Sequence, residues 1–139
     1  MNFLDTNIFV YTFDGRDEQK QQRARALVAD ALSEHSRIIS YQVIQEFLNV
    51  ATRKFSTPLN AEDCGRYLDH VLPPLCEVLP GVSLCHQALD IHQRWQLSHY
   101  DALIVAAALQ GECDVLFTED LHHGLKIRSL TVTNPFLTD

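Results

Sequence analysis

Four acidic residues, Asp5, Glu46, Asp101 and Asp120, stand where a carboxylate is either a structural cap or a reactive group. Asp5 directly follows the apolar run Asn2-Phe3-Leu4, and Asp120 comes three residues after Phe117, at the end of Val115-Leu116-Phe117. Both runs are short, apolar and suited to buried strands. Side chains alternate along an extended segment, so Asp120 and Thr118 share a side while Glu119 points away and is a reserve. Asp114 has the same parity but lies at the far end of its run, roughly 13 Å from Thr118 at about 3.3 Å per residue.

Glu46 lies within a helical pattern in which Val43, Ile44, Phe47, Leu48, Val50 and Ala51 form a broad apolar arc. It falls at one edge of that arc, aligned with Asn49 and Arg53. Asp101 opens the run Ala102 to Leu109, which is apolar on every side and so predicts a buried helix. An anion in its first turn is favoured by the helix dipole. Each acid also has a plainer role. Asp5 can be a turn or cap residue, Glu46 a solvated helix residue, Asp120 a loop acid, and Asp101 the partner of Ser98 in a capping pair. The joint pattern points to a cluster: two acids at strand ends, one at the start of a buried helix and one at a helix edge.

Carboxylates brought together in this way repel, by roughly 4 kcal/mol for a pair at 4 Å and an effective dielectric of 20. A divalent cation relieves that cost, and oxygen ligands with room for water suit Mg²⁺ or Mn²⁺. Cations in such a site activate water and steady the leaving oxygen of a phosphodiester.

The elements around these acids alternate between short apolar strands and helices. Helices are expected at Glu18–Glu34, Tyr41–Lys54 with Ser40 as its cap, Asn60–Leu72, Ser83–Trp95 and Ser98–Gln110, with Thr57-Pro58 ending the second. Further strands are expected at Arg37–Ile39, Glu77–Leu79 and Leu130–Val132. This alternation predicts an α/β fold with a parallel sheet, whose ligand sites form beyond the carboxyl ends of the strands.

The chain has 139 residues, 46% of them hydrophobic, which predicts a single domain over 1–139. No run approaches the roughly 20 apolar residues of a membrane helix. Eleven basic and 18 acidic residues give a net charge of −7, the wrong sign for a nucleic-acid binder held by charge alone. A carboxylate cluster that works through cations contributes to that acidity. Cys64, Cys76, Cys85 and Cys113 show no CxxC pair, which predicts buried free thiols in a reducing compartment. The opening Met1-Asn2-Phe3-Leu4-Asp5 carries a charge where a signal peptide is apolar, so the expected location is the cytoplasm.

Phe3-Leu4-Asp5-Thr6-Asn7-Ile8, Val43-Ile44-Gln45-Glu46-Phe47, Ser98-His99-Tyr100-Asp101-Ala102-Leu103-Ile104 and Leu116-Phe117-Thr118-Glu119-Asp120-Leu121 together resemble the PIN-domain family. Within that family they resemble the VapC-type toxin ribonucleases of bacterial toxin–antitoxin modules. Their order spans nearly the whole chain. The resemblance implies a three-layer α/β/α sandwich with a central parallel sheet and metal-dependent endoribonuclease activity. The family's acidic positions fall on Asp5, Glu46, Asp101 and Asp120, and its polar helpers on Asn7 and Thr118. Asp5, Asp101 and Asp120 are then expected to hold Mg²⁺ or Mn²⁺, with Glu46 holding a second ion or orienting water. The implied partners are an RNA substrate, a cognate antitoxin and a second copy in a homodimer, with no membrane involved. The segment Glu119-Asp120-Leu121-His122-His123-Gly124 departs from the many members that carry a second acid and an aromatic residue after the fourth acid.

Two other readings compete. A phosphatase or phosphoacceptor domain on a doubly wound sheet needs a second acid where Asn7 stands. A catalytically silent scaffold of the same fold would only bind a partner. Among the basic residues, Arg16, Lys20, Arg23 and Arg25 suit a solvated helix face with intrahelical ion pairs. Arg53, sharing a face with Glu46, is the candidate RNA-phosphate contact, with Lys54 beside it. His122-His123 point apart on an extended chain, and His92 and His99 straddle a helix break, so neither pair makes a zinc site.

Overall fold

The computed structural model describes residues 1–53, 55 and 59–137. Their strands are β1 (Asn2–Leu4), β2 (Arg37–Ser40), β3 (Cys76–Val78), β4 (Val115–Phe117), β5 (Lys126–Ile127) and β6 (Leu130–Thr133). The helices are α1 (Thr6–Tyr11), α2 (Glu18–Glu34), α3 (Tyr41–Arg53), α4 (Ala61–His70), α5 (Val82–Trp95) and α6 (His99–Gln110). The sheet order is β3-β2-β1-β4-β6-β5, parallel throughout except for the antiparallel β5–β6 edge. Helices flank it in three layers, as expected. α1 packs on α2 and α3, while α5 packs on α6.

The sheet runs outward from β1 in two directions, through β2 and β3 on one side and through β4 and β6 on the other. Strand order therefore reverses between β1 and β4, the place where a parallel sheet opens a crevice at its carboxyl end. Register there is fixed by Phe3 opposite Leu116 and Leu4 opposite Phe117. Phe3, Leu4 and Leu116 are fully buried and Phe3 and Leu4 face opposite helical layers, so a one-residue slip would exchange the layers against which these side chains pack. The all-apolar run in α6 is buried as expected, with Ala102 and Ile104–Ala108 in the core. Gly111 then stops α6 where a Cβ would lie 2.3 Å from Ile38 Cδ1, so only glycine fits without displacing that side chain.

Several local expectations are corrected. Ser40 does not cap α3. It is the last residue of β2, which runs straight into the helix, and its buried hydroxyl has no hydrogen-bond partner. The chain after Asp5 coils into α1 instead of remaining a turn, because Asp5 caps it and Ile8 and Phe9 bury against the core. α4 stops at His70, before a short 3₁₀ helix, Pro73–Leu75, and β3 begins one residue early, at Cys76. β5 was not foreseen: two residues carry too little pattern to read. Cys64 and Cys113 are buried, but Cys76 is only partly buried and Cys85 is exposed, so burial does not hold for all four thiols. The expected end of α3 at Lys54 and its breaker Thr57-Pro58 lie outside the described residues. No described helix is long and apolar enough to cross a membrane.

Candidate carboxylate site

The reversal between β1 and β4 places Asp5 beside the end of β4, where its backbone N–H donates to the Phe117 carbonyl at 3.0 Å. As the cap of α1, Asp5 accepts the Thr6 N–H on Oδ1 at 2.7 Å. Its Oδ2 accepts the Thr118 hydroxyl at 2.8 Å. Asp5 is 5% exposed and Thr118 is fully buried. Burial raises the Asp5 carboxyl to about 7, against the pull of the Thr118 and Thr6 hydrogen bonds, with Asp120 and Glu46 adding repulsion.

Thr118 has no freedom left. Its Oγ1 accepts from Asn7 Nδ2 at 3.2 Å and from the Asp120 backbone N–H at 3.1 Å. The one hydroxyl proton is thereby directed to Asp5. Asn7 Nδ2 also donates to Asp120 Oδ2 at 3.0 Å, tying the first turn of α1 to the loop after β4. Asp120 sits at the exposed mouth of the site. Neighbouring atoms that displace water raise its carboxyl, as do Asp101 and Glu119, while the Asn7 hydrogen bond lowers it.

Glu46 approaches from α3 as a half-buried carboxylate. Gln42, one turn earlier, donates to Glu46 Oε1 at 2.8 Å and to the Tyr100 carbonyl at 3.2 Å, joining α3 to the start of α6. Burial raises the Glu46 carboxyl, Gln42 opposes that shift, and Asp101 and Asp120 add to it. Asp101 is the third residue of α6, and its N–H donates to the Ser98 hydroxyl at 3.2 Å. Ser98 thus caps α6 through the Asp101 N–H, while the Asp101 carboxylate lies within electrostatic reach of Glu46 and Asp120. The four acids share one electrostatic neighbourhood, in which Asp5 feels Asp120 and Glu46, and Glu46 and Asp120 both feel Asp101.

Other candidates fall elsewhere. Glu119 turns away from the cluster, as side-chain alternation requires, and meets Tyr11 and Lys20. Asp114 lies at the opposite end of β4 against the N-terminal ammonium, 3.6 Å away. Arg53 is exposed in the last turn of α3 and, among the described residues, makes no ion pair with the acids. His123 accepts the Asn134 N–H through Nδ1, and His92 Nδ1 meets the Leu97 carbonyl, so neither histidine faces the site. The basic group is not a face of intrahelical pairs. Arg16 precedes α2 and pairs with Asp14, Lys20 pairs with Glu119, and Arg25 donates to the Thr12 carbonyl. Sequence reading missed Gln42, although its spacing of four from Glu46 is a legible helical pair.

The donor chemistry suits a hard divalent cation. The four carboxyls offer oxygen ligands and repel one another, and the buried oxygens Asn7 Oδ1 and Thr6 Oγ1 have no partner among the described residues. Among the described residues, however, no three His, Cys, Asp or Glu side chains stand close enough to close around one ion. Asp5 is held by Thr6 and Thr118, Asp120 by Asn7 and Glu46 by Gln42, so these acids are anchored around the crevice and not collapsed into it.

The PIN domain family model matches residues 3–124. No curated protein sequence matches. Among solved structures, a toxin–antitoxin complex from Klebsiella pneumoniae superposes with a TM-score of 0.69 at 19% identity, covering 97% of this chain and 98% of that one. FitAcB from Neisseria gonorrhoeae gives 0.64 at 20% identity over 98% and 99%. The Mycobacterium tuberculosis toxin VapC20, described as cleaving the sarcin–ricin loop, gives 0.63 at 17% identity over 86% and 92%. At these identities the likeness is one of fold.

Proposed function

The chain belongs to the PIN-domain family, and on that premise we propose that it is a metal-dependent endoribonuclease, the toxin of a type II toxin–antitoxin module. The observation that carries this reading is the carboxylate pair bridged by Thr118 and Asn7 at the β1–β4 reversal, with Glu46 and Asp101 in its field. Asp5, Asp101 and Asp120 would hold Mg²⁺ or Mn²⁺, and Glu46 would hold a second ion or orient water. When bound, the cation supplies an activated water and stabilises the leaving oxygen. Thr118 and Asn7 anchor Asp5 and Asp120 at the crevice, and Gln42 anchors Glu46. Hydrolysis of this kind does not use the 2′-hydroxyl, so preference for RNA rests on shape and contacts, with Arg53 docking a phosphate.

The Klebsiella pneumoniae structure, a toxin–antitoxin complex, supports an antitoxin partner. A homodimer belongs to the same reading. Exposed Leu79 and Tyr100 line one cleft beside α5 and α6, apolar surface that a second copy would cover, and sedimentation of the purified chain tests this. The site would act in the cytoplasm, where RNA and Mg²⁺ are at hand.

The test is RNA cleavage in Mn²⁺, wild type against Asp5→Asn, paired with Mn²⁺ calorimetry on wild type and Asp101→Asn. Cleavage and cation binding that collapse in the variants support the reading. Equal cleavage in Asp5→Asn points to a contaminating nuclease. The separation of the acids in the described residues favours one second reading, a silent scaffold of the same fold. Folded wild type that binds no Mn²⁺, with or without RNA, would establish it. Family membership leaves the phosphatase and phosphoacceptor readings without support.

A further inference from the structure

Glu119 is the fifth acid of this neighbourhood, adjacent in sequence to Asp120, yet both its oxygens are engaged elsewhere. Tyr11 of α1 donates its hydroxyl to Oε1. Lys20 of α2 donates to Oε2 at 3.0 Å and to the Tyr11 hydroxyl at 3.3 Å. The Lys20 ammonium also lies 4.9 Å from the Tyr11 ring centre and 5.7 Å from that of Phe136. The Phe136 ring packs edge-on against Tyr11 at 4.9 Å. Phe136 is itself held in a turn by Asn134, whose N–H donates to His123 Nδ1 at 3.0 Å. Side-chain exposure of 32% for Lys20 and 23% for Glu119 sets this pair apart from open surface ion pairs, which are worth little.

We propose that Lys20 and Tyr11 are positioning residues that hold the Glu119 carboxylate outside the Asp5–Asp120 cluster, so that the loop after β4 offers one acid, not two, to the divalent cation. This rests on the carboxylate-site reading above. The Thr118-Glu119-Asp120 turn places two carboxylates side by side, and a free glutamate has enough rotatable bonds to swing toward a cation held by its neighbour. Two elements close on Glu119 instead, α1 through Tyr11 and α2 through Lys20, and the C-terminal segment backs both of these side chains through Phe136. Lys20 is thereby committed to a protein carboxylate and is not an RNA-phosphate contact.

The test is a double-mutant cycle read by Mn²⁺ calorimetry on the purified chain, with melting temperature as the check on folding. Lys20→Met unpairs a carboxylate next to the site and is expected to tighten Mn²⁺ binding about fivefold. RNA cleavage should slow at the same time, because the cation is drawn toward Glu119. In a Glu119→Gln background the same lysine substitution should move affinity by less than about twofold, since nothing remains to be released. Tyr11→Phe keeps the ring on Phe136, loses the hydroxyl, and should shift affinity the same way by a smaller factor. Unchanged or weaker Mn²⁺ binding in Lys20→Met, or an equal shift in both backgrounds, overturns the proposal and leaves the carboxylate site standing. Wild type that binds no Mn²⁺ removes the site, and the positioning role falls with it.

Discussion

Thr118 lies across the β1–β4 boundary from Asp5, and its single proton is committed to Asp5 Oδ2 because Asn7 and the Asp120 N–H occupy the oxygen from the other side. Thr118→Val keeps the shape and removes that donor. The Asp5 carboxyl, already raised to about 7 by burial, then rises further, since the Thr118 hydrogen bond acts to lower it. Hydrogen bonds to charged groups contribute about 1.5–3 kcal/mol, so the pH at half-maximal Mn²⁺ binding should move up by about one to two units. Calorimetry across a pH series measures this, and Thr118→Ser should stay near wild type. An unmoved midpoint in Thr118→Val would sever the link between Thr118 and Asp5 ionisation.

The same carboxyl makes stability depend on pH in a stated direction. Asp5 titrates near 3.8 as an ordinary aspartate and at about 7 when folded, so between these values the folded state holds the proton more tightly. Its stabilising contribution is complete below the lower value, falls as pH rises between the two, and is gone above the higher. The difference amounts to about 4 kcal/mol at most. Glu46 and Asp120 carry raised carboxyls and act with the same sign. The melting temperature in chelator should therefore fall from pH 5 to pH 8, and Asp5→Asn should flatten that fall. Comparing the two proteins removes the contribution of the seven histidines they share. Mn²⁺ should raise the melting temperature at pH 8 and scarcely at pH 5, because proton and cation compete. An equally steep profile in Asp5→Asn would place the pH dependence elsewhere.

These relationships also mark how far sequence alone reaches. The strands carrying Asp5 and Asp120, the buried helix opened by Asp101 and the edge position of Glu46 were all legible, because each rests on a local period and an abrupt change of polarity. So was the outward turn of Glu119, which follows from alternation along the chain. The pairing of β1 with β4 was not: it brings residues 113 positions apart into hydrogen-bond contact, and no local pattern encodes which parallel strand becomes a neighbour. For the same reason Tyr11, Lys20 and Phe136 looked unrelated until the fold stacked them. Ser40 failed as a cap through tertiary override: its strand pairing with Val78 holds the segment extended up to the helix, leaving no loop from which a hydroxyl could turn back.

Asn7 is the next residue where geometry gives a definite expectation. Its amide joins Asp120 to Thr118, and its Oδ1 is buried without a partner. Asn7→Ala removes a donor to a carboxylate and frees the loop after β4, at a stability cost of about 1 kcal/mol. The functional loss should be larger, about 10–100-fold in RNA cleavage, since a 1 Å misplacement of a reacting group costs on that order. Denaturant unfolding and cleavage rates on the same preparation separate the two effects. Full cleavage in a folded Asn7→Ala protein would show that Asp120 needs no such anchor.

Arg53 supplies the test of substrate docking. It is exposed at the end of α3 and lies seven residues beyond Glu46, about two turns or 10 Å along the same face at 1.5 Å per residue. Among the described residues it has no ion-pair partner, unlike Lys20 and Arg16, whose charges are taken by Glu119 and Asp14. In a chain of net charge −7, an uncommitted cation on the face of the site is where an RNA phosphate can bind without displacing a protein carboxylate. Arg53→Ala should weaken binding of a cleavable RNA in Ca²⁺ by about fivefold and reduce the slope of log affinity against log salt by about one. Mn²⁺ affinity measured without RNA should not change, because Arg53 makes no contact with the carboxylates. An unaltered salt slope would move the docking surface away from α3, and a changed Mn²⁺ affinity would mean that Arg53 acts on the site itself.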